Sequence, residues 1–180
     1  GLEYLAASLI ADGHNAQILN TTGTGQSTKI PVPREMAYME EHYLKQDLSP
    51  FRLFSHFQHL GLQFCEIAKR TAEYQPDLVG IACNFTPYEG ESLECARQIK
   101  AKCPQIPIVF GGHHATVEYA SLLQNTCVDF VIRGEGEHSI CHLARVLTKG
   151  PWTGVPGLAY RLPDGSIHDN PLSPPIFPLE

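Results

Sequence analysis

Three short apolar runs constrain this chain more than any other feature: Leu78–Cys83, Ile106–Phe110 and Val128–Ile132. Leu78-Val79-Gly80-Ile81-Ala82-Cys83 is continuous and of strand length, and such runs suit parallel strands, which are covered on both faces. A helical segment follows each run. Tyr88–Lys102 turns Leu93, Ala96, Ile99 and Cys103 inward, Thr116–Gln124 comes next, and His138–Leu147 carries the stripe Ile140, Leu143, Ala144 and Leu147. Successive βα units of this size predict an α/β fold with a parallel sheet and helices on both faces.

The flanking segments read differently. Leu2, Leu5, Ala6, Leu9 and Ile10 define an amphipathic helix over 2–11, stopped by Asp12-Gly13 and followed by a strand candidate, Ala16–Asn20. Residues 21–50 are rich in Thr, Gly, Ser and Pro, then carry a polar helical stretch, Arg34–Lys45, so they read as a surface excursion. Phe51–Leu60 and Phe64–Tyr74 read as two helical pieces hinged at Gly61, with the Phe51, Phe54, Phe57 and Leu60 spacing taken as helix core. Beyond 150, Leu158–Leu162 and Ser166–Asp169 flank Pro163-Asp164-Gly165 as a β-hairpin, and the proline-rich 171–178 reads as a linker. The expected organisation is a domain over 1–150 and a hairpin with linker over 151–180.

A chain of 180 residues with 43% apolar and 18% charged residues can bury a core and is not a disordered one. Nineteen Asp and Glu against thirteen Lys and Arg leave a charge of −6, which argues against nucleic acid as the main partner. No apolar run has the length of a membrane span, and the first residues do not have the pattern of a signal peptide. The six cysteines are irregularly spaced and read as reduced, mostly buried thiols of a cytosolic protein. His138 and His142 read as a solvated helix face, so no metal ligand is assigned. The absence of a nucleophile–base pair leaves no catalytic residue to name.

Ligands of open α/β sheets bind beyond the carboxyl ends of the strands. Three loops lie there: Cys83-Asn84-Phe85-Thr86-Pro87, Gly111-Gly112-His113-His114-Ala115-Thr116 and Arg133-Gly134-Glu135-Gly136-Glu137. Asn84 and Thr86 offer side-chain hydrogen bonds, and Gly111-Gly112 removes two Cβ atoms from the approach to the backbone. The glycines around Glu135 expose N–H groups at a helix start, suited to polar or anionic groups. Together they predict one binding edge.

Gly1-Leu2-Glu3-Tyr4-Leu5, Pro76-Asp77-Leu78-Val79-Gly80-Ile81, Gly111-Gly112-His113-His114-Ala115-Thr116, Val128 to Glu137 and Gly157-Leu158-Ala159-Tyr160-Arg161 occur in that order. In this the chain resembles the N-terminal cobalamin (B12)-binding domain of B12-dependent radical S-adenosylmethionine enzymes, most closely the magnesium-protoporphyrin monomethyl ester oxidative cyclase-like group. The resemblance implies a Rossmann-like, flavodoxin-type domain with cobalamin across the carboxyl edge and its nucleotide tail running into the sheet. It places Ala82-Cys83-Asn84 where such domains have Ser-x-Leu beside the tail, with Ala82 lacking the serine hydroxyl. It places Gly111-Gly112 where the tail passes and Arg133–Glu137 beside the corrin. It further implies a downstream radical domain carrying S-adenosylmethionine and a [4Fe-4S] cluster.

Two departures bear on that expectation. The family places an apolar strand ahead of the Gly-Leu-x-Tyr-Leu helix, central in a 2-1-3-4-5 order, and this sequence opens at the helix. An unfilled central position would leave backbone donors and acceptors unpaired. Asp12-Gly13-His14-Asn15-Ala16-Gln17 holds only the Asp and His of the lower-ligand signature Asp-x-His-x-x-Gly and lies at the other end of the sheet, so His14 reads as a turn residue. His113 and His114 are the histidines near the expected edge. The same edge would also serve a nucleotide- or nucleotide-sugar-binding enzyme, or a cofactor-free interaction domain of this fold.

Overall fold

The computed structural model describes residues 1–23, 25–32, 37–38 and 57–172. They fall into two compact units, one of 1–19 with the chain from 64 onward and the other of 20–63.

The first unit is built on a five-stranded sheet. Strands β3 (Val79–Ala82), β4 (Ile108–Gly111) and β5 (Phe130–Ile132) are parallel, with Gly80 opposite Val109 and Phe110 opposite Val131. β6 (Leu158–Arg161) pairs antiparallel with β5, and β7 (Ile167–Asp169) antiparallel with β6. The spatial order is β3-β4-β5-β6-β7. The hairpin expected from Pro163-Asp164-Gly165 is therefore present, and it extends the main sheet. Asp164 Oδ1 accepts from the Ser166 N–H at 2.9 Å and its hydroxyl at 2.6 Å, which closes the turn.

β4 and β5 are buried along almost their whole length, as continuous apolar runs require. Val109, Phe130, Ile132, Leu158 and Tyr160 turn to one face, where they meet Ile140, Cys141 and Leu143 of α6 (Glu137–Val146). Leu5 and Leu9 of α1 (Leu2–Ala11) pack on the same cluster, and α1 lies against α6. Alternate residues Ile108, Phe110 and Val131, also buried, turn to the opposite face by the two-residue period of a strand. Leu93, Ala96 and Ile99 form the buried stripe of α3 (Glu89–Lys102), which packs against Ile67, Ala68 and Thr71 of α2 (Phe64–Tyr74). Acidic Glu89 and Glu91 open α3 and Lys100 and Lys102 close it, in the sense that complements the helix dipole.

Several expectations are corrected. Ala16–Asn20 forms no strand, and Ile18 and Leu19 are largely exposed. Strand Phe57–Leu60 (β2) replaces the last four residues of the expected helix 51–60. It pairs antiparallel with β1 (Ser27–Ile30) in the second unit. The 51–56 part of that helix, nearly all of the helix expected over 34–45, and 173–178 of the proline-rich linker lie outside the described residues. Gly61 follows β2 at φ +99°, where a Cβ would stand 2.2 Å from the Thr21 carbonyl oxygen, so it is a tight turn between β2 and α2. The single helix expected over 116–124 is two short ones, α4 (His113–Val117) and α5 (Tyr119–Leu122). Among the described residues β3 is an outer strand with Gly80 and Ala82 exposed. No helix among them is long and apolar enough to cross a membrane.

Candidate cofactor-binding edge

The loops after β3, β4 and β5 meet. Gly112, at φ +113°, lies so close to the first loop that a Cβ there would stand 2.3 Å from Asn84 Oδ1 and 2.9 Å from the Cys83 carbonyl oxygen. The Ala115 N–H donates to that same Cys83 carbonyl at 3.2 Å. Thr116 joins the second loop to the third: its hydroxyl donates to the Gly112 carbonyl at 2.9 Å and accepts the Gly134 N–H at 3.0 Å. Asn84, Gly112 and Gly134 thus belong to one continuous surface.

The two glycines of the pair play different parts. The Cβ space at Gly112 is already filled by the chain itself, so that glycine serves loop-on-loop packing. At Gly111 a Cβ would meet the Ile132 carbonyl oxygen at 3.8 Å, an ordinary contact distance, so a side-chain atom there would not clash. In the first loop and the turn after it, Phe85 and Tyr88 pair edge to face at 6.2 Å between ring centroids and stand 63% and 60% exposed. Val117, on α4, is 73% exposed. Asn84, Thr86 and His113 are also exposed. Solvent-facing apolar groups beside amide and hydroxyl groups make a surface for a large ligand with an apolar body and polar fringe.

His114 is 5% exposed, and both ring nitrogens are engaged: Nδ1 lies 3.0 Å from Thr86 Oγ1 and Nε2 2.7 Å from Glu89 Oε2. Cys83 is fully buried, and burial pushes its thiol up from the ordinary range, so it stays protonated near neutrality.

Within the third loop the residues diverge. Arg133 Nη2 donates to the Asn170 carbonyl at 2.6 Å and lies 3.0 Å from Asp169 Oδ2, and its guanidinium sits 4.6 Å above the Tyr119 ring. It fastens the loop to the end of β7. Gly134 and Glu135 are exposed, whereas Gly136 faces α1, its Cβ position 3.0 Å from Leu5 Cδ2. Glu137 Oε2 is buried without a hydrogen-bond partner among the described residues. Ala82 ends β3 with its surface exposed. His14 sits in the turn after α1, 3.2 Å from Asp12 Oδ2. Sequence reasoning missed Thr116 and Glu89. Thr116 stood inside the Gly-Gly-His-His-Ala-Thr motif but carried no signal of joining two loops, and nothing within the Tyr88–Lys102 helix marked Glu89 out.

A depression of about 710 Å³ lies at the opposite, amino end of the strands, between Pro76, Gln105, Phe130, Trp152 and Arg161. Two of its charged groups are used internally. Arg161 Nη2 donates to the Val128 and Asn125 carbonyls, and Asp129 Oδ2 accepts from the Ile108 N–H and Lys100 Nζ, both at 2.7 Å. Volume alone therefore does not make it the site. The carboxyl edge is where parallel sheets bind ligands.

The B12 binding domain family matches residues 51–144, a stretch that holds the first two loops and the third. The chain belongs to the B12-binding domain family. It is 32% identical over 123 residues to the anaerobic magnesium-protoporphyrin IX monomethyl ester cyclase of Rubrivivax gelatinosus, covering 64% of this chain and 21% of that protein. It is 26% identical over 180 residues to the cytidylyl-2-hydroxyethylphosphonate methyltransferase of Streptomyces wedmorensis, covering 98% of this chain and 30% of that protein. The radical S-adenosylmethionine methyltransferase TsrM of Kitasatospora setae, solved with cobalamin and a [4Fe-4S] cluster bound, superposes with a TM-score of 0.64 at 18% identity, over 99% of this chain and 27% of that one. That likeness carries the fold, a Rossmann-like α/β domain. This chain spans less than a third of each of these proteins.

The edge fits the family's cofactor. Cobalamin has a broad corrin body fringed by amides. Phe85, Tyr88 and Val117 offer apolar cover, and Asn84 offers a polar partner. Glu137 Oε2 is a buried acceptor that calls for a donor.

Proposed function

We propose that this chain is the cobalamin-holding module of a larger B12-dependent radical S-adenosylmethionine enzyme of the methyltransferase or oxidative cyclase type, acting in a reduced, cytoplasmic setting. The observation that carries the reading is the joining of the Asn84, Gly112 and Gly134 loops into one surface at the carboxyl edge, within the stretch matched by the B12 binding domain family. Bound cobalamin supplies cobalt-centred methyl transfer or redox chemistry. The chain's own residues bind and orient. The Asn84 side chain holds polar groups, while Phe85, Tyr88 and Val117 keep water from the buried face. Residues 151–172 lead towards a separate domain that carries S-adenosylmethionine and the iron–sulfur cluster, with which this module partners. The similarity to a cyclase and to a methyltransferase supports that architecture.

Titrating the chain with hydroxocobalamin, followed by visible absorbance, tests the reading. We expect saturation near one equivalent and a corrinoid spectrum that survives desalting. A colourless protein after desalting, with thermal stabilisation by nucleotides instead, would refute it in favour of a nucleotide site.

A further inference from the structure

The loops after β3 and β4 are tied together by more than backbone. Thr86 Oγ1 lies 3.0 Å from His114 Nδ1, and His114 Nε2 lies 2.7 Å from Glu89 Oε2. The chemistry of the partners orders the protons. A carboxylate only accepts, so Nε2 carries the ring hydrogen and donates it to Glu89. In the neutral ring Nδ1 then holds a bare lone pair, which accepts from the Thr86 hydroxyl. Thr86 and Glu89 flank the first turn after β3, whereas His114 sits in α4 after β4. The ring is therefore a bridge between two loops, and its side chain is 2% exposed. Beside it the Ala115 N–H donates to the Cys83 carbonyl, and Gly112 packs on Cys83 and Asn84. For His114 to ligate cobalt through Nδ1, its hydrogen bond with Thr86 would have to break.

We propose that His114 is a positioning residue, the hub of a Thr86–His114–Glu89 clamp that holds the two loops in register and so keeps the cobalamin-binding edge preformed. The proposal rests on the cobalamin reading above and adds a role for residues that need not touch the cofactor. A preformed edge lowers the ordering cost of binding, so loosening the clamp shows as faster loss of ligand.

Because Thr86 is exposed, T86V removes one hydroxyl without emptying the core, and T86S restores it. H114Q provides a second test at the hub. Two readouts are taken on the full 180-residue chain: hydrogen exchange at the Ala115 amide without ligand, and hydroxocobalamin release by absorbance. The clamp predicts that T86V and H114Q each speed both by about tenfold, the loss of one hydrogen bond to a buried group, and that T86S stays near wild type. Wild-type exchange at Ala115 in both variants would overturn the clamp. Faster release with unchanged exchange would also overturn it, because Thr86 would then act by touching the ligand. If the unaltered chain holds no cobalamin, the functional reading fails on its own, and exchange at Ala115 still decides whether the clamp exists.

Discussion

Gly111 and Gly112 are adjacent and identical in sequence, yet the structure gives them opposite sensitivities. At Gly112 any side chain meets φ +113° and the Cys83 carbonyl and Asn84 amide at once. We expect G112A to cost about 1–3 kcal/mol, seen as a lower chemical-denaturation midpoint. G111A adds a methyl at ordinary contact distance from the Ile132 carbonyl oxygen and stays within about 0.5 kcal/mol of wild type. Equal destabilisation by both would show that the two positions are not distinguished as described. The glycine pair was legible as a place where side chains are excluded. Which of the two the chain itself crowds was not, because that depends on Asn84, a neighbour twenty-eight positions away. His114 was legible only as one of two histidines. Its burial and its bridge to Thr86 and Glu89 are products of the β3–β4 pairing.

At the scale of elements, α1 has no buried residue, yet it is anchored to the first unit by contacts with α6. Arg145 of α6 grips the carboxylate of Asp12 with two hydrogen bonds, one from Nε at 2.8 Å, and this holds the Asp12 carboxyl below its usual range. A depressed carboxylate contributes stability above its unfolded pKa of about 3.9 and loses it as the pH falls through the lower folded value. The melting-temperature difference between wild type and D12N should therefore be positive at pH 6 and shrink towards pH 3. It should also shrink with added salt, since the pair is exposed. A difference independent of pH would remove the pair from the anchoring of α1. The helices read well from sequence because their buried stripes repeat locally, as in Leu93, Ala96 and Ile99. The strands that failed depend on distant partners. Ala16–Asn20 has the apolar residues of a strand and no ladder to join, and β2 owes its existence to the polar β1 nearly thirty residues earlier. Phe51, Phe54, Phe57 and Leu60 fit a helical spacing, but spacing alone did not decide the structure of 57–60.

For the whole molecule, the parallel core and the meeting of the loops at its carboxyl edge were legible because continuous apolar runs followed by glycine-bearing loops admit few other arrangements. The antiparallel joining of the hairpin to β5 was not, since a hairpin's own pattern does not say which sheet it extends. The account stands on where cobalamin sits. Backbone hydrogen exchange of the chain with and without saturating hydroxocobalamin reads this directly. It predicts slowed exchange in 83–88, 111–117 and 133–137, with the amino-end depression around Gln105 and Arg161 unchanged. Protection centred on that depression, with the three loops exchanging as before, would contradict it.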